Sequence, residues 1–221
     1  MLRREPRMPD WSETVPLVEV TSFADWNQFA RWWWNLLSKQ FTVDDGMKAK
    51  VAELTKDCGT RLEKVRAIYG FVVTDIQYQA WEFGVHGYKP YTATSIFNRR
   101  FGDCKDKAIL IRTMLDLAGI EAYPVLIDAD TGGGRSEEDM TLAQLGKFNH
   151  CIAWLPEQDG RPAQFLDGTA TWHPTDTLPE MDQGAKVLIV DQGRAELREV
   201  PWTTPQHNHT DEHFDITLLP D

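Results

Sequence analysis

Cys104 stands at the first turn of a helix that is otherwise almost wholly apolar. It lies in Phe101-Gly-Asp-Cys-Lys-Asp-Lys-Ala-Ile-Leu-Ile-Arg-Thr-Met-Leu-Asp-Leu-Ala-Gly119. Asp103 is a candidate N-cap with Asp106 three residues on, a variant of the capping box, and Gly119 supplies the stop. Ala108, Ile109, Leu110, Ile111, Met114, Leu115, Leu117 and Ala118 leave only a thin polar stripe of Lys107, Arg112 and Asp116. A helix apolar on so many sides runs through a core, so the chain must fold around it. Its unpaired N–H groups and positive dipole end surround the Cys104 sulfur. A helix N-terminus favours the thiolate, the nucleophilic form of a cysteine, and its N–H groups can hold a developing oxyanion.

A base is available downstream. Phe148-Asn-His-Cys-Ile-Ala-Trp-Leu155 alternates as a strand does, with Phe148, His150, Ile152 and Trp154 on one face and Asn149, Cys151, Ala153 and Leu155 on the other. Turn formers follow in Pro156–Pro162, then a short strand, Ala163-Gln-Phe-Leu-Asp-Gly168. Read as a hairpin, the two runs fold about residues 158–160. A turn centred between Gln158 and Asp159 sets His150 directly opposite Asp167. A turn built on Asp159-Gly160 makes them diagonal neighbours on one face. Both registers let Asp167 orient the imidazole, and a slip of one residue does not. Cys104, His150 and Asp167 are therefore the candidate catalytic residues: nucleophile on a helix start, base and orienter on adjacent strands.

With 221 residues and 42% hydrophobic content, the chain can bury a real core. A net charge of −11 excludes the basic footprint of non-specific nucleic-acid binding and argues against an anionic membrane surface. No apolar run approaches the roughly 18–20 residues of a membrane span. The charged start, Met1-Leu-Arg-Arg-Glu-Pro-Arg7, lacks the apolar stretch of a signal peptide. Three cysteines without CxxC spacing indicate neither a disulfide framework nor a zinc ribbon. Cys58 and Cys151 are either a pair or buried free thiols.

Residues 1–20 read as a Pro-rich, charged arm. Ser22 with Asp25 opens a helix whose apolar face includes Phe23, Trp26, Phe29, Trp33 and Leu37. Further helices are expected over about 44–55, from the Thr60–Glu63 capping box to about Val73, and over 92–99. Short strands are expected at 76–78, 122–127 and 187–190. The acidic, Gly-rich stretch Asp128–Asp139 is either a flap beside the site or a tolerated insertion. Its triple glycine is not a phosphate loop, because no Gly-Lys-Ser/Thr follows. Trp154 and Trp172 are candidates to line a substrate cleft, against the alternative of core packing. His207, His209 and His213 lie near Asp211 and Glu212, but a polar linker gives ligands no rigid support, so no metal is assigned. Phe214–Leu219 reads as a late strand. The expected division is 1–20 arm, 21–58 N-terminal helices, 59–200 core, and 201–221 linker with the start of a further β unit. The consecutive Trp32, Trp33 and Trp34 span roughly 200° of a helix and cannot all face inward. With the late strand, they lead us to expect the middle part of a longer protein.

Gly102-Asp-Cys-Lys-Asp-Lys-Ala108, Leu117–Leu126, Asn149-His-Cys151 and Leu166-Asp-Gly-Thr169 resemble the transglutaminase-like superfamily. More narrowly, they resemble its bacterial branch, in which this core follows an N-terminal β-rich domain. The resemblance spans roughly 60–170. It implies an α+β papain-like fold, with N-terminal helices and the nucleophile helix packed on an antiparallel sheet, and a triad of Cys104, His150 and Asp167. Where animal transglutaminases carry an oxyanion-assisting tryptophan, Gly87–Ala93 has tyrosines, so Tyr88 and Tyr91 join the Cys104 N–H as oxyanion candidates. The implied chemistry is acyl transfer or hydrolysis at the carboxamide of a peptide or protein substrate, through a thioester and without a cofactor. The implied setting is exported, beside flanking domains. The alternative is a catalytically silent binding or scaffold module of a larger exported protein.

Overall fold

The computed structural model describes residues 16, 18–129, 139–204, 206 and 210–217. Three helices come first: α1 (Trp26–Leu37), α2 (Asp45–Thr55) and α3 (Arg61–Asp75). The start of α1 differs from expectation. Asp25, not Ser22, is the N-cap, accepting from the Gln28 N–H at 2.7 Å, while the Gln28 side chain accepts from the Ala24 N–H. The cap is thus Asp25 on the Gln28 N–H, with Gln28 reaching back one residue further, to Ala24, rather than Ser22-x-x-Asp25. The Thr60–Glu63 box forms at the head of α3, where both partners bond the backbone.

A two-residue strand β1 (Gln77–Tyr78), a helix α4 (Ala93–Arg99) and a second short strand β2 (Phe101–Gly102) lead into α5 (Cys104–Leu117). β1 runs parallel to β2, with Tyr78 beside Gly102. Asp103 caps α5 by accepting from the Asp106 N–H, and Gly119 leaves it with φ of 75°. The polar stripe of α5 is thinner still than its sequence suggests, because Lys107 is buried and its ammonium donates to the Ile76 carbonyl at 2.8 Å.

The remaining strands are β3 (Tyr123–Ile127), β4 (His150–Leu155), β5 (Gln164–Leu166), β6 (Lys186–Asp191) and β7 (Arg194–Glu199). They form one antiparallel sheet in the order β5-β4-β3-β6-β7. The period-two alternation of β4 divides its side chains. Cys151, Ala153 and Leu155 join the helices in the main core, while Ile152 and Trp154 join Val125, Ile127, Val187 and Ile189 on the far face. The helical layer on the near face holds Phe29, Trp33 and Leu37 of α1 in the same core as α5. Trp33 is buried, and Trp32 and Trp34 flank it half-buried.

The late strand is not formed: residues 210–217 have no strand pairing, and Phe214 and Ile216 are exposed. Of the other expectations, the arm up to residue 15, the heart of the proposed flap (130–138), His207, His209 and Leu218–Leu219 lie outside the described residues. All three cysteines are free thiols. Among the described residues no helix is long and apolar enough to cross a membrane.

Candidate active site

The β4–β5 hairpin takes the register of an Asp159-Gly160 turn. Both residues have positive φ, 54° and 72°, the pattern of a type I′ turn whose twist suits a hairpin. Ala153 then pairs with Leu166 and Trp154 with Phe165. Asp167, just past β5, becomes a diagonal neighbour of His150 at the head of β4. Its Oδ1 lies 3.2 Å from His150 Nε2, at ion-pair distance but without a well-aligned N–H···O bond. The same oxygen accepts from the Thr169 N–H and hydroxyl, each at 2.8 Å. The Tyr69 hydroxyl donates to the Asp167 carbonyl at 3.0 Å, which ties this corner to α3. Gly168 lets it approach α5: a Cβ there would meet Ile111 Cδ1 at 2.9 Å and Lys107 Cβ at 3.1 Å.

The second neighbour of the imidazole is the Cys104 side chain, with which it borders one cavity. With Nε2 turned to Asp167, Nδ1 is the nitrogen left for the sulfur. Burial of His150 opposes its charge, but the adjoining Asp167 carboxylate and Cys104 side chain outweigh it and push its pKa up to about 10. Asp167 is buried too, which works against its ionisation. His150 and the two Thr169 donors prevail and hold its carboxyl below the usual carboxylate range.

Cys104, His150 and Cys151 border a cavity of about 140 Å³ whose walls include Trp33, Leu126, Leu145 and Phe148, with Glu82 and Lys105 as its charged members. Lys105 is paired with Asp103 and stands 3.8 Å from Glu82. One turn on, Arg99 holds the buried Asp106 at 2.7 Å, and Asp106 also accepts from the Tyr91 N–H. The nucleophile helix therefore starts inside a network of buried, paired charges.

The other sequence candidates separate. Tyr88 lines the cavity, and its carbonyl accepts from Trp33 Nε1 at 3.2 Å. Tyr91 is outside it, its ring stacked on His86 with centroids 3.8 Å apart and covered by the Arg99 guanidinium. Trp154 does not border this cavity but lines a separate cleft with Tyr123, Pro156 and Arg194. It lies four residues along β4 from His150, roughly 13 Å, packed on the far face against Tyr123. Trp172 is 93% exposed and does not border this cavity. The wall is formed by Trp33 of α1 together with Leu145 and Phe148, which lie just before His150 in the chain. Tyr78 was also missed. Burial, then the charges of Cys104, Asp103, Glu82 and Asp167, push its phenol up to about 12. Its only signal was the short run before the β1–β2 pairing that sets it beside the start of α5.

One more side chain belongs to this corner. Asp182 is fully buried, and its carboxylate lies within 4.8 Å of the nearest facing atoms of His150 and Asp167. We assign no metal to the three, because a cation there would occupy the imidazole nitrogen that faces Asp167.

Residues 48–144 match the family model of the transglutaminase-like superfamily. The matched stretch contains Cys104 and stops before His150 and Asp167. No curated protein matches the chain. Among solved structures, a putative protease from Parabacteroides distasonis superposes with a TM-score of 0.58 at 17% identity, over 82% of this chain and 32% of that one. A putative cysteine protease from Cytophaga hutchinsonii gives 0.43 at 15% identity, over 60% of this chain and 42% of that one. The chain thus spans about a third of the first protein's length, and the likeness to it is one of fold.

Proposed function

We propose that this chain, which belongs to the transglutaminase-like superfamily, performs thiol-dependent acyl transfer at a carboxamide, with Cys104 as nucleophile, His150 as acid and base, and Asp167 as orienter. One observation carries the reading: the His150 imidazole lies between the Cys104 side chain and the Asp167 carboxylate, at the wall of a cavity. The Cys104 sulfur attacks the carbonyl carbon. His150, charged at neutral pH, donates its proton to the leaving ammonia or amine, and a thioester remains. His150 then takes a proton from the water or amine that resolves the thioester. The N–H of Cys104 at the helix start, with Tyr88 nearby, is the oxyanion partner on this reading. The catalytic unit is 59–200, with the helices of 21–58 packed on it and Trp33 contributing to the cavity. The substrate is a peptide or protein carboxamide, and no cofactor is needed for the steps described.

The test is a cysteine-directed probe followed by turnover. Iodoacetamide near neutral pH, mapped by mass spectrometry, labels Cys104 before Cys58 and Cys151. A glutamine-containing peptide library, with and without an amine acceptor, then releases ammonia in a Cys104-dependent manner. First labelling at Cys58 or Cys151, or ammonia release that persists in Cys104→Ala, overturns the reading.

A further inference from the structure

The mechanism above leaves a fully buried carboxylate unused. Asp182 closes the short 3₁₀ turn Glu180–Asp182 and is 0% exposed. Its carboxylate lies within 4.8 Å of both the His150 nitrogen and the Asp167 oxygen. Two carboxylates buried so close together repel each other unless a positive charge lies beside them. The imidazolium of His150 lies within that range of both.

The turn is held firmly. The Asp182 N–H donates to the Pro179 carbonyl at 3.0 Å. The next residue, buried Gln183, donates to the Leu178 carbonyl at 3.0 Å and accepts from the Thr203 N–H and hydroxyl. Gly184, with φ of 71°, donates to the Val200 carbonyl at 2.9 Å. Asp182 is thus mounted on the segment that joins β6 to the chain after β7, independently of the hairpin that carries His150 and Asp167. Glu180 and Asp182 frame an apolar Met181, and no local motif marks the pair as part of a site.

We propose that Asp182 is a positioning residue, a second buried carboxylate that with Asp167 fixes the His150 imidazole and stabilises its imidazolium form beside Cys104. The proposal rests on the reading of His150 as acid and base. Other charged groups face this corner. From α5 come Cys104, Lys105 and Lys107, the last acting on Asp167. From α3 comes the Tyr69 phenol, pushed up by burial and then by the charges of Asp167 and Asp182. From β1 and the loop after it come Tyr78 and Glu82. Lys107 opposes Asp182 in its effect on His150, and Glu82, on the cavity side, acts with it. Of these carboxylates, Asp167 and Asp182 are the pair that closes on the ring.

The experiment follows the His150 ring by NMR against pH in the labelled full chain, in wild type, Asp182→Asn and Asp182→Glu. In Asp182→Asn the midpoint falls by at least about one pH unit, a tenfold change in protonation. Asp182→Glu recovers most of that shift, which a merely structural role would not produce. A folded Asp182→Asn protein with an unmoved midpoint overturns the proposal. If Asp182→Asn does not fold, the reciprocal measurement decides. The Asp182 carboxyl carbon is titrated in wild type and His150→Gln, and its midpoint rises in the latter; equal midpoints overturn the proposal. Alkylation of Cys104 in wild type is read separately. Its failure removes the catalytic reading and leaves the Asp182–His150 coupling to be judged on the NMR midpoints alone.

Discussion

Asp167 and His150 meet across the diagonal of the β4–β5 pair, with Oδ1 3.2 Å from Nε2. The diagonal has a chemical consequence. A directly opposed pair would be set by ladder spacing alone, whereas here the carboxylate lies just beyond the last paired residue, Leu166, and is steered by Thr169. Asp167→Asn keeps the shape and removes the charge. We predict a loss of roughly 10²–10⁴ in the rate of acyl transfer, the range of a mispositioned or mistuned acid–base group. Far-UV circular dichroism should be unchanged. A rate within threefold of wild type would show that His150 needs no orienter.

Gly168 is a packing requirement rather than a flexible hinge. Its missing Cβ leaves room for Ile111 Cδ1 at 2.9 Å and Lys107 Cβ at 3.1 Å. Gly168→Ala therefore forces the end of β5 off α5. The expected cost is about 1–3 kcal/mol by urea denaturation, the range for an overpacked core. Because Asp167 precedes it, alkylation of Cys104 should slow as well. Unchanged stability would mean that the corner can yield.

Trp33 serves two roles that separate by substitution. It is 2% exposed in the core, and it also forms part of the cavity wall. Trp33→Ala should cost about 3–5 kcal/mol. Trp33→Phe retains most of the core filling and gives up the Nε1 bond to the Tyr88 carbonyl, at about 1 kcal/mol. Its larger effect should be on KM, since the cavity widens on the side of Tyr88. Matched losses in stability and KM for both variants would argue that the wall has no part in binding.

These residues also show what sequence reading reaches. Local chemistry was legible wherever one short segment held the whole device: the Asp103 cap, the Thr60–Glu63 box and the alternation of β4; of the two hairpin registers left open, the structure takes the Asp159-Gly160 turn. Two eligible devices overlapped at the start of α1, where Ser22 and Asp25 share a register and only the returning Gln28 decides between them. The cavity wall was only partly legible: Phe148 shares the strand alternation of His150, whereas Trp33 comes from α1 and is brought in by tertiary packing. Trp154 lies away from the His150 cavity for a related reason. A strand face tells which side a residue takes, not how far along the strand a site extends. Asp182 was invisible because buried acids are uncommon, and a lone one between Met181 and Gln183 reads as turn polarity.

The pH dependence of stability follows from two buried bases displaced in opposite directions. Burial lowers His150, but the neighbouring Asp167 carboxylate and Cys104 outweigh it and raise it from 6.5 to about 10. Lys107 is lowered from 10.5 to about 8 by burial, which the charge of Asp167 only partly offsets. Between pH 6.5 and 10 the native state holds a proton on His150 that the unfolded chain has released. That contribution is complete below pH 6.5 and is lost as pH rises, at up to about 1.4 kcal/mol per unit. Between pH 8 and 10.5 the unfolded chain holds a proton on Lys107 that the native state lacks, so stability rises with pH there. The two slopes add. We predict that stability falls from pH 6.5 to 8 and then runs nearly level to pH 10. His150→Gln removes the fall, closing the gap to wild type by about 2 kcal/mol between pH 6.5 and 8. Lys107→Met removes the compensation, so the decline continues through pH 10. Its ammonium bond to the Ile76 carbonyl is also lost, a constant offset that does not alter the slope. Urea denaturation at half-unit intervals reads all three curves. Parallel curves for wild type and His150→Gln between pH 6.5 and 8 would mean that the imidazole is not held charged by Asp167 and Cys104.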